Sequence, residues 1–200
     1  SSSVSLTNVY QDLVAAPTSG SLLVTQLLLS NEDAAITADF LIKVTRSGVD
    51  YVVITESLAP KESMILNFPI VLDVNTKLQA KTSVTCTGHA TGSYSNLFTG
   101  LTYLLNFTGD VYADVCTIAA GKKYTVLGIM VTNTDITTQK IAMQVINNLS
   151  VSQYVREKTI QPGNVWCLEP NMVLLAGYKL QVKHGAASKT GSILVSLMEV

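Results

Sequence analysis

Slid along itself by 102 residues, the chain meets itself. Val9-Tyr10-Gln11-Asp12 falls on Val111-Tyr112-Ala113-Asp114, Asn31-Glu32-Asp33 on Asn133-Thr134-Asp135, and Lys77-Leu78-Gln79-Ala80-Lys81 on Lys179-Leu180-Gln181-Val182-Lys183. From position 9 to position 81 this alignment needs no gap, and 16 of its 73 pairs are identical. Other pairs exchange one apolar residue for another, as Leu27 with Ile129 and Leu58 with Ile160. Two hundred residues allow one large domain or two of ordinary size, and the repeat selects two, residues 1–100 and 101–200. Each is long enough to bury a core without disulfides or metal. A repeated domain points toward architecture and assembly more than toward a single active site.

The residue pattern is that of strands throughout. Thr, Val, Ile and Leu dominate, and turn residues recur every 8 to 12 positions, the rhythm of a sandwich. Strands are predicted near 4–15, 21–30, 36–45, 49–58, 62–68, 76–84 and 92–99, then near 109–118, 122–132, 138–147, 150–160, 164–169, 177–184 and 191–199. Pro17 to Gly20, Ala119-Ala120-Gly121, Ser47-Gly48, Ala59-Pro60-Lys61 and Gln161-Pro162-Gly163 supply turn chemistry between them. The join from Phe98 to Asp110 is apolar and aromatic, unlike a soft Gly/Ser tether, and is expected to be a short packed connection. The fold class expected is all-β, with two tandem immunoglobulin-like antiparallel β-sandwich domains.

Alternation identifies candidate contact surfaces. Leu127, Ile129 and Val131 share one face of a predicted strand, while Tyr124, Val126 and Met130 share the other. Ile193, Val195 and Leu197 alternate in the same way with Leu194, Met198 and Val200. A strand on a solvated sheet should be polar at every second position. One apolar face would pack on the opposite sheet and the second on the sister domain or a neighbouring chain. Tyr124, Val126, Met130, Leu194, Met198 and Val200 are therefore candidate interface residues. Trp166 joins them, because alternation sets it opposite Cys167, whose counterpart Ile65 is apolar and core-like. A rim position for Trp166 is the equal alternative.

Charged residues make up only 14% of the chain, against about 25% in a typical soluble domain. A surface so poor in charge suits coverage by other subunits, although abundant Ser and Thr also make a neutral surface. The net charge is −1 with no basic run, which argues against nucleic-acid partners and against anionic membranes. No apolar stretch approaches the ~20 residues of a membrane helix. The start, Ser1-Ser2-Ser3-Val4, is not expected to be a signal peptide; a cleaved one stays open, since the chain does not begin with Met.

No motif carries catalysis, so no catalytic, cofactor-binding or metal-binding residue is assigned. His89 and His184 lie in late parts of the two halves with no nucleophile or acid at triad spacing. Asp73-Val74-Asn75-Thr76 hints at a calcium loop, but Leu175-Ala176-Gly177-Tyr178 opposite it has no oxygen ligands, so it reads as a turn. The three cysteines, Cys86, Cys116 and Cys167, are too few and too irregular for a disulfide framework. Cys116 and Cys167, whose counterparts Val14 and Ile65 are apolar, read as small core residues, with a Cys116–Cys167 bridge as the alternative. Asn106-Phe107-Thr108 and Asn148-Leu149-Ser150 have only the form of glycosylation sequons. The repeated Tyr10-x-Asp12 and Tyr112-x-Asp114 are expected to fix a sheet end through a tyrosine hydroxyl bond.

The run from Val111 to Asp135 has an opening strand, an Ala-Gly-Lys turn at 120–122, a second apolar strand and a Thr-Asn corner. With Ala176 to Val182 and Ile193 to Val200, it resembles small β-sandwich proteins encoded in the structural gene clusters of tailed bacteriophages. The likeness covers the second half of the chain and is weaker in the first, where Pro17 to Gly20 replace the Ala-Gly-Lys turn. The resemblance implies a non-enzymatic place in the virion, as head decoration, neck collar or tail protein. Its partners would be copies of itself and other virion proteins such as capsid, portal or neck, and tail. An extracellular adhesin or carbohydrate-binding module is the alternative, although aromatic residues are only 6% of the chain.

Overall fold

Runs of Val, Ile, Leu and Thr, punctuated by residues that accept positive φ, draw the chain into strands. The computed structural model describes residues 1–83, 88–97 and 99–200; Cys86 and Phe98 lie outside them, as do the side chains of Leu97 and Tyr154. The chain divides into two units, Ser1–Leu101 and Thr102–Val200.

The first unit runs β1 (Ser2–Leu6), β2 (Gln11–Val14), β3 (Ser21–Asn31), β4 (Ala38–Arg46), β5 (Val49–Leu58), β6 (Ser63–Leu66), β7 (Ile70–Asp73), β8 (Thr76–Thr82) and β9 (Gly88–Leu97). One sheet is ordered β1-β9-β3-β6 with β7 also on β3, and the other β2-β8-β4-β5. β6 and β7 flank the same edge of β3, one after the other, so they are a single strand interrupted at Phe68-Pro69, where proline cannot donate to the ladder.

The second unit runs β10 (Gly100–Thr108), β11 (Ala113–Thr117), β12 (Lys123–Asn133), β13 (Gln139–Ile146), β14 (Ser152–Ile160), β15 (Val165–Leu168), β16 (Val173–Leu175), β17 (Lys179–His184) and β18 (Thr190–Glu199). Its sheets are β10-β18-β12-β15, with β16 also on β12, and β11-β17-β13-β14. This is the strand order of the first unit again.

The all-β sandwich expectation holds. Its connections are those of a jelly roll, in which the first strand pairs with the last and the second with the next to last. An immunoglobulin-like sandwich would place the first strand beside the second. The predicted apolar join is itself a strand: Gly100–Thr108 forms the edge strand β10.

Turn chemistry fixes the hairpins. Ser47 and Gly48 both have positive φ, 50° and 82°, which makes a two-residue type I′ hairpin between Arg46 and Val49. Pro60-Lys61 and Pro162-Gly163 each put a positive φ, 63° and 73°, after proline, the type II signature. The bonds Glu62 N–H to Ala59 (3.1 Å) and Asn164 N–H to Gln161 (3.1 Å) close both turns.

The ungapped alignment fails in one stretch. Phe40, Ile42 and Val44 face the first core, and Ile141, Met143 and Val145 face the second, an offset of 101 rather than 102. The missing residue lies in the β3–β4 turn. It is regained where the two-residue β4–β5 turn becomes Asn147–Val151, held by bonds from the Leu149 and Val151 N–H groups to the Asn147 side chain. A one-residue slip exchanges the two faces of a strand, so burial overrides an alignment that would set Phe40 on Ala142.

Each unit is closed at one end by a buried asparagine. The Asn31 side-chain N–H groups donate to the carbonyls of Ile36 (2.8 Å), Leu58 (3.0 Å) and Ala59 (3.1 Å), and its oxygen accepts the Asp33 N–H at 3.0 Å. Asn133 donates to Thr137 (2.8 Å) and Ile160 (3.0 Å) and accepts from Asp135 at 3.0 Å. One amide thus ties the β3–β4 turn to the end of β5, and its twin ties β12–β13 to β14. Opposite these asparagines stand Gly88 and Gly191. A Cβ on Gly191 would come within 2.7 Å of the Phe107 ring and 3.0 Å of the Thr132 carbonyl.

Asn31→Ala and Asn133→Ala each leave buried carbonyls without donors, and each is expected to lower the unfolding free energy by about 2–4 kcal/mol in denaturant titrations of the full chain. Gly191→Ala is expected to cost about 1–3 kcal/mol by overpacking, read in the same titration.

Candidate interaction surface

The outward face of the four-stranded sheet carries the same polar cluster in both units. A β-bulge after Asp12 and another after Asp114 let Leu13-Val14 and Val115-Cys116 all turn into the cores. The bulges leave Asp12 directly opposite Gln79 and Asp114 directly opposite Gln181. Lys77 and Gln79 then donate to Asp12 at 2.9 and 2.5 Å, and Lys179 and Gln181 to Asp114 at 2.6 and 2.5 Å.

Tyr10 and Tyr112 complete the cluster through their ring faces. The Lys81 ammonium stands 4.7 Å from the Tyr10 ring centre and Lys183 the same distance from Tyr112, within cation–π range. Lys43 adds a second ammonium over Tyr10 at 4.0 Å while pairing with Asp50 at 2.6 Å. The tyrosines thus act through their π faces, where the sequence pointed to a hydroxyl bond. In the second unit Gln144 takes the Lys43 position and donates to Gln181 at 2.7 Å.

These contacts set the titration. Hydrogen bonding from Lys77, and then from Gln79, holds the Asp12 carboxyl below the usual carboxylate range. Gln181 and then Lys179 do the same for Asp114, and Lys43 for Asp50. Burial raises the Tyr10 and Tyr112 phenols, helped by Asp50 and Glu157 respectively. Carboxylates held below their usual range are charged at neutral pH. The cluster is suited to contact, with fixed charges and two aromatic faces.

The seven residues that alternation marked as an interface separate into two groups. Trp166, Tyr124, Val126, Met130 and Leu194 are all buried within the chain. A bulge between Val126 and Gly128 shifts the alternation, so Val126 shares the core face with Ile129 and Val131. Trp166 stands opposite Val131 on that face, and Cys167 stands opposite Met130 on the other. Trp166 therefore points inward and Cys167 is exposed, the reverse of the sequence reading. Met130 and Leu194 do lie together on the outward face. Of the seven, only Met198, half-buried, and Val200, exposed, reach the surface.

Exposed apolar side chains lie both on strands, as Leu28, Ile65 and Val155 do, and in corresponding turns of the two units. Val9 and Val111 sit in the β1–β2 and β10–β11 turns, 62% and 76% exposed. Ile36 and Ile136 occupy the β3–β4 and β12–β13 turns, and Ile136 is 92% exposed. Val49 at the β4–β5 turn and Leu149 with Val151 at the β13–β14 turn repeat the arrangement at the opposite ends.

The remaining sequence candidates are structural. Asp73 accepts from the Thr76 hydroxyl and pairs with Arg46 at 3.1 Å, so the suspected calcium loop is a polar turn around Asn75, whose φ is 69°. No group of metal-ligating side chains is present among the described residues. No disulfide joins Cys116 to Cys167, and burial pushes the Cys116 thiol up to about 11. His89 bonds the Ser3 hydroxyl.

No protein-family model matches the chain, and no curated protein matches it. Among solved structures it is similar to one from "atomic structure of Sulfolobus Turreted Icosahedral Virus", with 11% identity, coverage of 98% of this chain and 59% of that one, and a TM-score of 0.31. It is similar to another from "the T13 IBDV viral particle" at 9% identity, 99% and 68% coverage and a TM-score of 0.32. A third is the tandem CBM22 domain of Paenibacillus barcinonensis Xyn10C, at 10% identity, 99% and 82% coverage and a TM-score of 0.32. The chain thus spans 59% of the first structure's length. At these scores none of the three assigns a function.

Asp12 and Asp114 have depressed folded-state pKa values, so their stabilisation is present above the unfolded value of about 4 and lost as pH falls below it. Both carboxylates are nearly half exposed, so each is worth under about 1 kcal/mol. The Asp12→Asn, Asp114→Asn double variant should lose that acid sensitivity and change neutral-pH stability by less than about 2 kcal/mol in total. A larger loss in denaturant titrations would make the cluster a determinant of the fold rather than a surface.

Proposed function

We propose that the protein is a non-enzymatic structural component of a virus particle that assembles with copies of itself and with other virion proteins. The resemblance of its second half to tailed-phage sandwich proteins favours a tailed-phage particle, with head, neck or tail as the place. The observation that carries the reading is the pair of jelly-roll units whose exposed apolar residues recur at equivalent turns. Apolar turn tips at Val9, Ile36, Val111 and Ile136 are sticky points for a neighbour, and two units in one chain give one subunit two similar sets of them. Jelly rolls serve in viral capsids and also in lectins, so the topology supports the reading by analogy alone. The scarcity of charge in the sequence fits a surface largely covered by neighbours.

Mass spectrometry of purified particles tests this directly, and the protein is expected at a fixed copy number. Copies in the hundreds would mean head decoration, and six or twelve would mean neck or tail. In light scattering, the purified chain should form oligomers that the Val9→Ser, Ile36→Ser, Val111→Ser, Ile136→Ser variant disperses without loss of fold. A monomer at every accessible concentration, together with particles that lack the protein, would reject the proposal. Glycan capture by that monomer would favour a binding module instead.

A further inference from the structure

His184 ends β17 and stands opposite Ile141 on the core face of the second unit. It is fully buried, and neither Nδ1 nor Nε2 has a hydrogen-bond partner. Its ring stacks on Phe107 with centroids 4.5 Å apart and planes inclined by 21°. Phe107 comes from the edge strand β10 and also lies against Gly191, where even a Cβ would not fit. An imidazole is thus held by apolar packing in a place where its polar atoms bond nothing.

The first unit shows that the fold does not require this. Thr82 occupies the same register there, opposite Phe40 as His184 is opposite Ile141. Thr82 and Phe40 together fill the space beside Gly88, and a threonine carries no charge at any pH. The charged groups facing His184 are Asp135 from the β12–β13 turn and Lys189 from the β17–β18 turn, themselves paired at 3.4 Å. From β10 the ring meets Phe107, and across the β13 ladder His184 stands opposite Ile141, while Lys140 of β13 lies beside the following Gly185.

Burial, the largest influence, holds the His184 imidazole below the usual histidine range, and Lys189 adds to this. The Phe107 backbone carbonyl, near the ring, and the Asp135 carboxylate pull the other way. Backbone bonds converge on the same corner: Gly109 accepts from the His184 N–H at 2.9 Å and donates to Lys189 at 3.1 Å.

We propose that the His184–Phe107 stack is an acid latch of the second unit. A protonated imidazole has two N–H donors, which the one nearby carbonyl, that of Phe107, cannot both satisfy inside, so it leaves for water. With it go the seat of Phe107 and the Gly109 junction, which frees β10 and the β17–β18 turn. The first unit, with Thr82 at the equivalent place, stays closed. A group whose folded pKa is depressed binds more protons when open. Its contribution to closure is therefore intact above about pH 6.5 and is lost as pH falls below that value.

Hydrogen exchange of the full chain between about pH 7.5 and 5, corrected for intrinsic exchange rates, reads the opening. The population of the open state at 100–109 and 184–191 should rise by up to tenfold per pH unit below about 6.5, with no such rise at 76–82. His184→Thr should abolish the rise, and the His184 ring proton resonances should titrate over the pH range in which the opening grows. Equal pH dependence in wild type and variant would overturn the latch, as would a ring that titrates at about 6.5 with no opening. If the variant does not fold, the coincidence or separation of ring titration and exchange in the wild type decides the matter.

Discussion

A buried amide at the end of each sandwich is the constraint on which the rest of this structure leans. Asn31 and Asn133 are closed to solvent, yet each satisfies one carbonyl in a turn and another at the end of a strand. Buried carbonyls left without donors are costly, so the amide decides where β3 hands over to β4 and where β5 ends. The aspartate two residues later caps the same turn: Asp33 accepts from Ala35 and Ile36, and Asp135 from Thr137. The two sheets can then face each other with Phe40, Ile42 and Val44, or Ile141, Met143 and Val145, between them.

Bulges govern the remaining geometry. The bulges in β2 and β11 turn two consecutive apolar residues inward and leave Asp12 and Asp114 outside. Those in β3, at Val24/Gln26, and in β12, at Val126/Gly128, change which residues share a face. The polar clusters and the sharing of one face by Val126, Ile129 and Val131 follow from these single inserted residues. Beyond its bulge β12 alternates regularly and is buried on both faces, Ile129 and Val131 looking one way and Met130 the other.

Much of the surface cluster was legible before any coordinates. Tyr10, Asp12, Lys77, Gln79 and Lys81 match Tyr112, Asp114, Lys179, Gln181 and Lys183, although the cores elsewhere exchange Leu for Ile and Val. Identity among polar residues that no core needs was the signal. Its meaning was not legible, because a lysine over a tyrosine ring requires β8 beside β2, a pairing between segments about 65 residues apart in the chain. Strict alternation also misled: it put Trp166 outside and Cys167 inside, since a period of two gives the sides of a strand but never says which side is the core. The join at 98–110 was read as a connection because a strand at the edge of a sheet carries the same apolar residues as a packed linker.

By itself, the sequence determined an all-strand chain in two similar halves, the turns rich in Gly, Pro and Asn, and a charge-poor surface. Those properties are local or additive, set by backbone preference and by what each residue does in water. The tertiary structure alone decided the jelly-roll order, the one-residue slip between β4 and β13, the inward turn of Trp166 and the unpartnered burial of His184. Each of these depends on which distant strand lies alongside, and that is settled by the closing of two sheets around a core.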